Sequence, residues 1–186
     1  YDFGSWSVAM QMLPSSRNAK DVLVLNDSLI GPFSSIKKLL SLIEKSSFDI
    51  TGVTDSVQIR HHVQSYLLHF KNGSFQNSEI EDFWNGVRIQ DDKMDVIQAY
   101  EIGLTATAQA TGFYVGAVFP WNLVGQYWNN PSVDRWQRLL SLDFPFIKRE
   151  VARESKAAKK QTLIPAIEEY FDISESLKSE ISESVE

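Results

Sequence analysis

The chain has 186 residues, 43% hydrophobic and 12% aromatic, enough to bury one full core. Its 18 Lys+Arg against 24 Asp+Glu give a net charge of −6, and no basic patch stands out in the sequence, which argues against nucleic acid as a partner. Zero cysteines exclude disulfides, thiolate metal sites and thiol nucleophiles, so any metal must be held by oxygen or imidazole.

No run of about 18 apolar residues offers a membrane span, and no basic segment followed by an apolar stretch opens the chain. The expectation is a soluble protein in a reducing compartment. The first residue is Tyr1, followed by Asp2-Phe3-Gly4, as expected of a chain that begins inside a larger protein.

Val22-Leu23-Val24-Leu25 is an apolar, β-branched run that ends in Asn26-Asp27-Ser28, with Gly31-Pro32 beyond. It predicts a central buried strand delivering polar residues to its C-terminal edge, where open α/β sheets bind ligands. Ser34 or Ser35 then caps a helix in which Ile36, Leu39, Leu40 and Ile43 recur at helical spacing. Short strands are predicted over 49–53 and 63–70, the latter closed by Lys71-Asn72-Gly73-Ser74 as a hairpin turn. Ser78 and Glu81 have capping-box spacing for a helix toward Gly86, and a longer helix over about 92–111 stops at Gly112. Tyr114 to Phe119 predicts another strand, and Asn130-Pro131 caps a helix carrying Val133, Trp136 and Leu140. From Ser174 onward Leu177, Ile181 and Val185 interrupt a Ser/Glu/Lys run; a solvated helix and disorder both fit, with few core contacts expected.

The pattern is that of an α/β fold, a mixed sheet flanked by helices with a helical C-terminal region. The expected division is a domain over 1–153 and an acidic, helical extension over 154–186.

Among residues that carry chemistry, Asn26-Asp27-Ser28 suits a diphosphate-bound Mg2+ or Mn2+, because such an ion needs few protein ligands. The alternative is a local turn in which Asn26 or Asp27 bonds its own downstream backbone. Glu101 falls in the apolar helical stripe Met94, Ile97, Leu104 and Ala108. A carboxylate there is paired, protonated or functional, and desolvation would raise its pKa toward that of a general base. His61, His62 and His69 lack the spacing of a zinc motif, which favours surface or satisfied core imidazoles. No G-x-S-x-G supports hydrolysis. Phe83, Trp84, Trp121, Trp128 and Trp136 have rings suited to sugar stacking, with Trp121 and Trp128 favoured by their polar loop.

Several segments together resemble the rhamnan synthesis protein F family of bacterial surface-polysaccharide glycosyltransferases. They are Tyr1 to Trp6, Val24 to Ser28 with Gly31-Pro32-Phe33, Gly52 to Ser56, His62 to Leu68, Phe83-Trp84, Tyr100 to Thr105 and Pro145 to Glu150. The resemblance implies the later part of a GT-A-type domain, with Asp27 at the metal motif and Glu101 near the catalytic base. It also implies Asp55 as a second candidate base and Asn26, Ser28 and Asp2 as donor-binding residues. Gln64, Trp84 and Trp121 would face the acceptor. The partners so implied are a nucleotide-sugar donor, with rhamnose among the candidate sugars, and a lipid-linked glycan acceptor at the cytoplasmic face of the membrane. Where the metal motif usually has two acids, this chain has only Asp27. The rival expectation is a non-catalytic carbohydrate-binding or scaffold module on the same fold.

Overall fold

The computed structural model describes residues 2–125, 130–153 and 157–183. Helices α1 (Asp2–Met12) and α2 (Pro14–Arg17) precede strands β1 (Val22–Leu25) and β2 (Leu29–Ile30). Helix α3 (Lys37–Lys45) leads to β3 (Ile50–Ser56), β4 (His62–Val63) and β5 (Leu67–Phe70). Next come a 3-10 turn (Ser74–Gln76), α4 (Ser78–Asn85), α5 (Lys93–Val96), a π-helical stretch (Ile97–Ile102) and α6 (Gly103–Ala110). The chain continues through β6 (Val115–Phe119), α7 (Trp121–Val124), α8 (Pro131–Asp134) and α9 (Trp136–Ser141). It finishes with β7 (Ile147–Lys148), α10 (Arg149–Arg153), α11 (Ala157–Glu168) and α12 (Glu175–Glu183).

The expected mixed sheet is present, with β3 rather than β1 at its centre. Ile50 and Thr51 pair with antiparallel β5 on one side and parallel β6 on the other, and all seven residues of β3 are buried. Among the described residues strand β1 pairs only with β5, so the expected central position of Val22 to Leu25 is corrected to an edge. Val24 is 6% exposed, whereas Leu23 and Leu25 are 47% and 51% exposed. A continuous apolar run does not reveal whether one face or both are covered.

Alternation along the strands divides the core between the two faces of the sheet. Ile50, Leu68 and Phe70 pack with Phe3, Trp84 and Leu104 on one face, under α1, α4 and the helix over 93–110. Val53, Leu67 and Phe119 pack with Leu39, Ile43 and Leu139 on the other. A third cluster joins Ile30 and Ile147 of the small β2–β7 ladder to Leu163, Ile167 and Ile181. The expectation of few core contacts after Ser174 is therefore overturned: Ile181 is 1% exposed, because α12 turns its thin apolar stripe onto α11 and the β2–β7 ladder.

Several local expectations shift in instructive ways. The cap of α4 is Asn77, whose Oδ1 accepts from the amides of Glu79 and Ile80, so Ser78 starts the helix rather than capping it. After Asn72 and Gly73, both at positive φ, the chain enters the 3-10 turn instead of a returning strand. Phe75 is thereby buried edge-on against Phe70, 4.9 Å between centroids. The predicted strand over 63–70 is broken between β4 and β5, and the break turns Gln64, Ser65 and Tyr66 to separate tasks. By contrast, Asn130 caps α8 as expected, and its carboxamide oxygen accepts from the Ser132 amide at 3.1 Å.

Gly31 sits at φ +127°, where an added Cβ would meet the Pro145 carbonyl oxygen at 2.6 Å. Gly31→Ala should destabilise the protein by about 1–3 kcal/mol from backbone strain alone. Equilibrium urea unfolding checks this; an unchanged midpoint would show that the loop before β7 yields freely.

Candidate functional site

Several separate segments close on one cavity of about 190 Å³. The first turn of α1 supplies Asp2, the loop after β1 supplies Asn26 and Ser28, and the π-helical stretch supplies Glu101. The break between β4 and β5 adds Ser65 and Tyr66, and β7 adds Lys148. Four of the sequence-derived candidates, far apart in the chain, thus share one cavity.

Asn26 organises the loop. Its Nδ2 donates to Asp2 Oδ2 at 2.8 Å, while its Oδ1 accepts from the Ser28 amide at 3.1 Å and the Ser28 hydroxyl at 2.6 Å. This is the local turn that was the alternative to a metal motif. Asp27 itself is exposed, and its carbonyl accepts from Arg149 Nε at 2.8 Å.

Glu101 is the most densely contacted acid of the site, with its side chain 18% exposed. Oε1 accepts from the Ser65 hydroxyl at 2.5 Å, and Oε2 lies 3.5 Å from His62 Nε2. His62 Nδ1 donates to the Arg60 carbonyl at 2.8 Å, which leaves Nε2 to face Glu101. Burial pushes the Glu101 carboxyl up, but His62, the Lys148 ammonium and the Ser65 hydroxyl outweigh it and hold the pKa below the usual carboxylate value. The expected upward shift is therefore corrected: Glu101 is a desolvated yet ionised carboxylate. Burial pulls His62 down, but the Glu101 carboxylate and the Arg60 carbonyl reverse this and raise it. Burial lowers the pKa of Lys148, whose Nζ lies 4.9 Å from the Tyr66 ring centroid, and Glu101 offsets part of that shift.

These directions fix a pH dependence. The depressed Glu101 contributes stability above its ordinary value of 4.5, lost as pH falls through its folded value. The raised His62 contributes stability fully below its ordinary 6.5, lost as pH rises through its folded value. The pair should therefore stabilise most between these two ordinary values, and melting temperature should decline as pH rises beyond the window. Comparing melting across that range with His62→Gln tests the assignment: an equally steep decline in the variant would place the titrating group elsewhere.

A second group of candidates forms a neighbouring cluster outside the cavity. Asp55 is 4% exposed and fully engaged: Oδ1 accepts from the Trp121 amide at 2.6 Å, and Oδ2 lies 2.8 Å from His61 Nε2. Gln64 accepts from the Thr54 hydroxyl at 2.6 Å and donates to Asn130 at 2.8 Å. Asp55 thus fastens α7 to the end of β3, which gives it a positioning place rather than access to the Glu101 cavity. Trp84 is 3% exposed and stacks on Phe3 at 5.5 Å between centroids, so its ring faces are spent inside the aromatic core. Trp121 is half-buried at the start of α7, and Trp128 lies outside the described residues.

Sequence reasoning passed over Ser65 and His62 as partners of Glu101, and it passed over Lys148. Lys148 entered only as part of the segment Pro145 to Glu150 that carries the family resemblance, with no role attached. The π-helical stretch also resets the expected stripe: Met94 is 43% exposed, while Leu104 and Ala108 are buried.

The residues present do not form a ready cage for a divalent ion. Among the described residues no group of three or more His, Asp or Glu stands close enough to hold a metal. Asp27 shares its cavity with Arg149, Arg153 and Lys93 as well as Glu150, a net cationic setting that disfavours a divalent ion.

Comparison with known proteins agrees with this picture at the level of family. The chain is 29% identical over 187 residues to virulence protein VirA of Vibrio anguillarum, covering 83% of this chain and 60% of the relative. It is 30% identical over 124 residues to the uncharacterized protein y4gN of Sinorhizobium fredii, covering 64% of this chain and 32% of that protein. The chain thus spans about three-fifths or less of the length of these relatives. No solved structure gives a significant match. The profile of one family matches residues 1–182, nearly the whole chain, and the chain belongs to that family, rhamnan synthesis protein F.

Proposed function

We propose that the chain carries the acceptor-side catalytic face of a glycosyltransferase in polysaccharide synthesis, moving a sugar from a nucleotide-sugar donor to a growing glycan. Family membership supports the pathway class. The observation that carries the chemistry is Glu101, an ionised carboxylate at the wall of a small cavity, oriented by Ser65 and His62 and facing Lys148. In that role Glu101 takes the proton of the acceptor hydroxyl as its oxygen attacks the anomeric carbon. The bond from that carbon to the diphosphate breaks, and its electron pair leaves on the diphosphate oxygen. Asp2, Asn26 and Ser28 offer hydrogen bonds to sugar hydroxyls along the same wall. A GT-A-type arrangement, with rhamnose as a candidate donor sugar, remains part of this proposal. So does work at the cytoplasmic membrane face as a peripheral protein, since among the described residues no helix is long and apolar enough to cross a membrane.

A non-catalytic carbohydrate-binding module is the second reading, favoured by one observation: Glu101 has protein partners on both oxygens, as a structural ion pair does. The full-length protein incubated with a panel of nucleotide sugars and lipid-linked glycan acceptors separates the two. Release of nucleoside diphosphate together with glycan extension supports the enzyme; glycan binding without either product supports the module.

A further inference from the structure

The Glu101 cavity adjoins a second, outer chamber of about 510 Å³, lined by Asp27, Ser28, Lys93, Arg149, Glu150 and Arg153. Ser28, Lys93 and Glu150 line both, so the two chambers form one cleft. Three cations face two carboxylates in the outer chamber, although the chain as a whole carries −6. Overall composition therefore does not account for this local balance.

The cations are positioned by the fold. Arg149 and Arg153 stand one turn apart on α10 and so share a face. Arg149 is anchored to the loop after β1, its amide donating to the Ser28 carbonyl at 2.8 Å and its Nε to the Asp27 carbonyl at 2.8 Å. Lys93 reaches the rim from the start of α5, 3.2 Å from Glu150. Lys148 stands deeper, in the inner chamber beside Glu101.

A divalent ion at Asp27 would sit among these cations with one carboxylate from its motif. A diphosphate would instead meet charge-assisted donors of complementary sign. We propose that the cleft holds the diphosphate of its ligand on its own cations, Arg149, Arg153 and Lys93 in the outer chamber and Lys148 in the inner one, in place of a divalent metal at Asp27. This rests on the sugar-transfer reading and gives the leaving group its counter-charge: as the anomeric bond breaks, the electron pair arriving on the diphosphate oxygen is neutralised by ammonium and guanidinium groups. The acceptor proton goes to Glu101. A nucleoside diphosphate and a lipid diphosphate share the chemistry the cleft recognises.

The test is calorimetric titration of the full-length protein with inorganic pyrophosphate, once in excess EDTA and once with Mn2+. UDP, dTDP and GDP form a nucleotide arm, and geranyl diphosphate forms a lipid arm. Pyrophosphate should bind in EDTA, and Arg153→Gln and Lys93→Gln should each weaken it about tenfold. Both residues are exposed, so folding should be unaffected; melting curves check this. Asp27→Asn should retain binding. Tighter binding in one arm identifies the source of the diphosphate, and either source supports the proposal. Binding only with Mn2+, lost in Asp27→Asn, would overturn it in favour of a metal site, and absence of binding under both conditions would overturn it as well. Metal-free binding without sugar transfer would leave this inference standing and remove the enzymatic reading, so the two fail separately.

Discussion

Ile181→Ala should lower stability by about 2–5 kcal/mol, the range for truncating a buried aliphatic side chain to Ala. Ile181 is 1% exposed and packs in the cluster that includes Ile30, Phe33, Ile147, Leu163 and Ile167. The residue lies in a segment of serines and acids, where a sequence view expects near-neutral substitutions. Because its cluster includes both Ile30 and Ile147, the loss reaches the β2–β7 ladder, and Lys148 is the next residue on that strand. The expected secondary effect is weaker anion binding in the cleft at temperatures where the protein is still folded. Ser179→Ala, on the exposed face of the same helix, should stay within about 0.5 kcal/mol. Urea unfolding of the two variants side by side decides the matter: equal midpoints would mean that α12 does not contribute to the core.

Helices with strong local signals were legible in the sequence. Asn130-Pro131 shows both an acceptor side chain and a first-turn proline, and the structure places cap and helix there. The strands of the main sheet were legible as short segments, but their order was not, and the two-residue strands β2 and β7 were not legible at all. Val22 to Leu25 and residues 49–53 both read as short strands, and only pairing made the second, extended to Ser56, central and the first an edge. Pairing partners lie tens of residues away and leave no local mark. The same distinction holds at the site. Asn26, Ser28 and Glu101 were legible as polar groups at a strand end or on an apolar stripe, Asp2 came only with the family resemblance, and the structure brings all four to one cavity. The partners that decide the ionisation of Glu101 were not legible, because Ser65, His62 and Lys148 reach it through a strand break and a two-residue ladder. Reasoning from burial alone therefore gave the wrong direction for its pKa. Trp84 was read from its ring chemistry, yet contact with Phe3, Phe70 and Phe75 assigns it to the core. The tail misled because its four apolar residues from Ile173 on look sparse in sequence, while Ile173 and Ile181 need only one partner surface.

Glu101→Gln should lower turnover of the full-length enzyme by about 10²-fold or more, because the amide cannot accept the acceptor proton. The replacement preserves volume, and its carbonyl oxygen can still accept from the Ser65 hydroxyl. His62 can release its proton and accept from the new amide through Nε2 while Nδ1 keeps its bond to the Arg60 carbonyl. Lys148, its pKa already lowered by burial, can neutralise in the same way. The stability cost should thus fall below the about 3–5 kcal/mol of a buried ion pair left with an uncompensated charge. Glu101→Ala, which also deletes the hydrogen-bond acceptor, should cost more. The decisive measurement is melting temperature and sugar transfer per folded molecule on one preparation of Glu101→Gln. Catalysis by Glu101 requires a folded protein that still binds diphosphate but turns over about 10²-fold more slowly; a destabilised protein with normal turnover per folded molecule would rule it out.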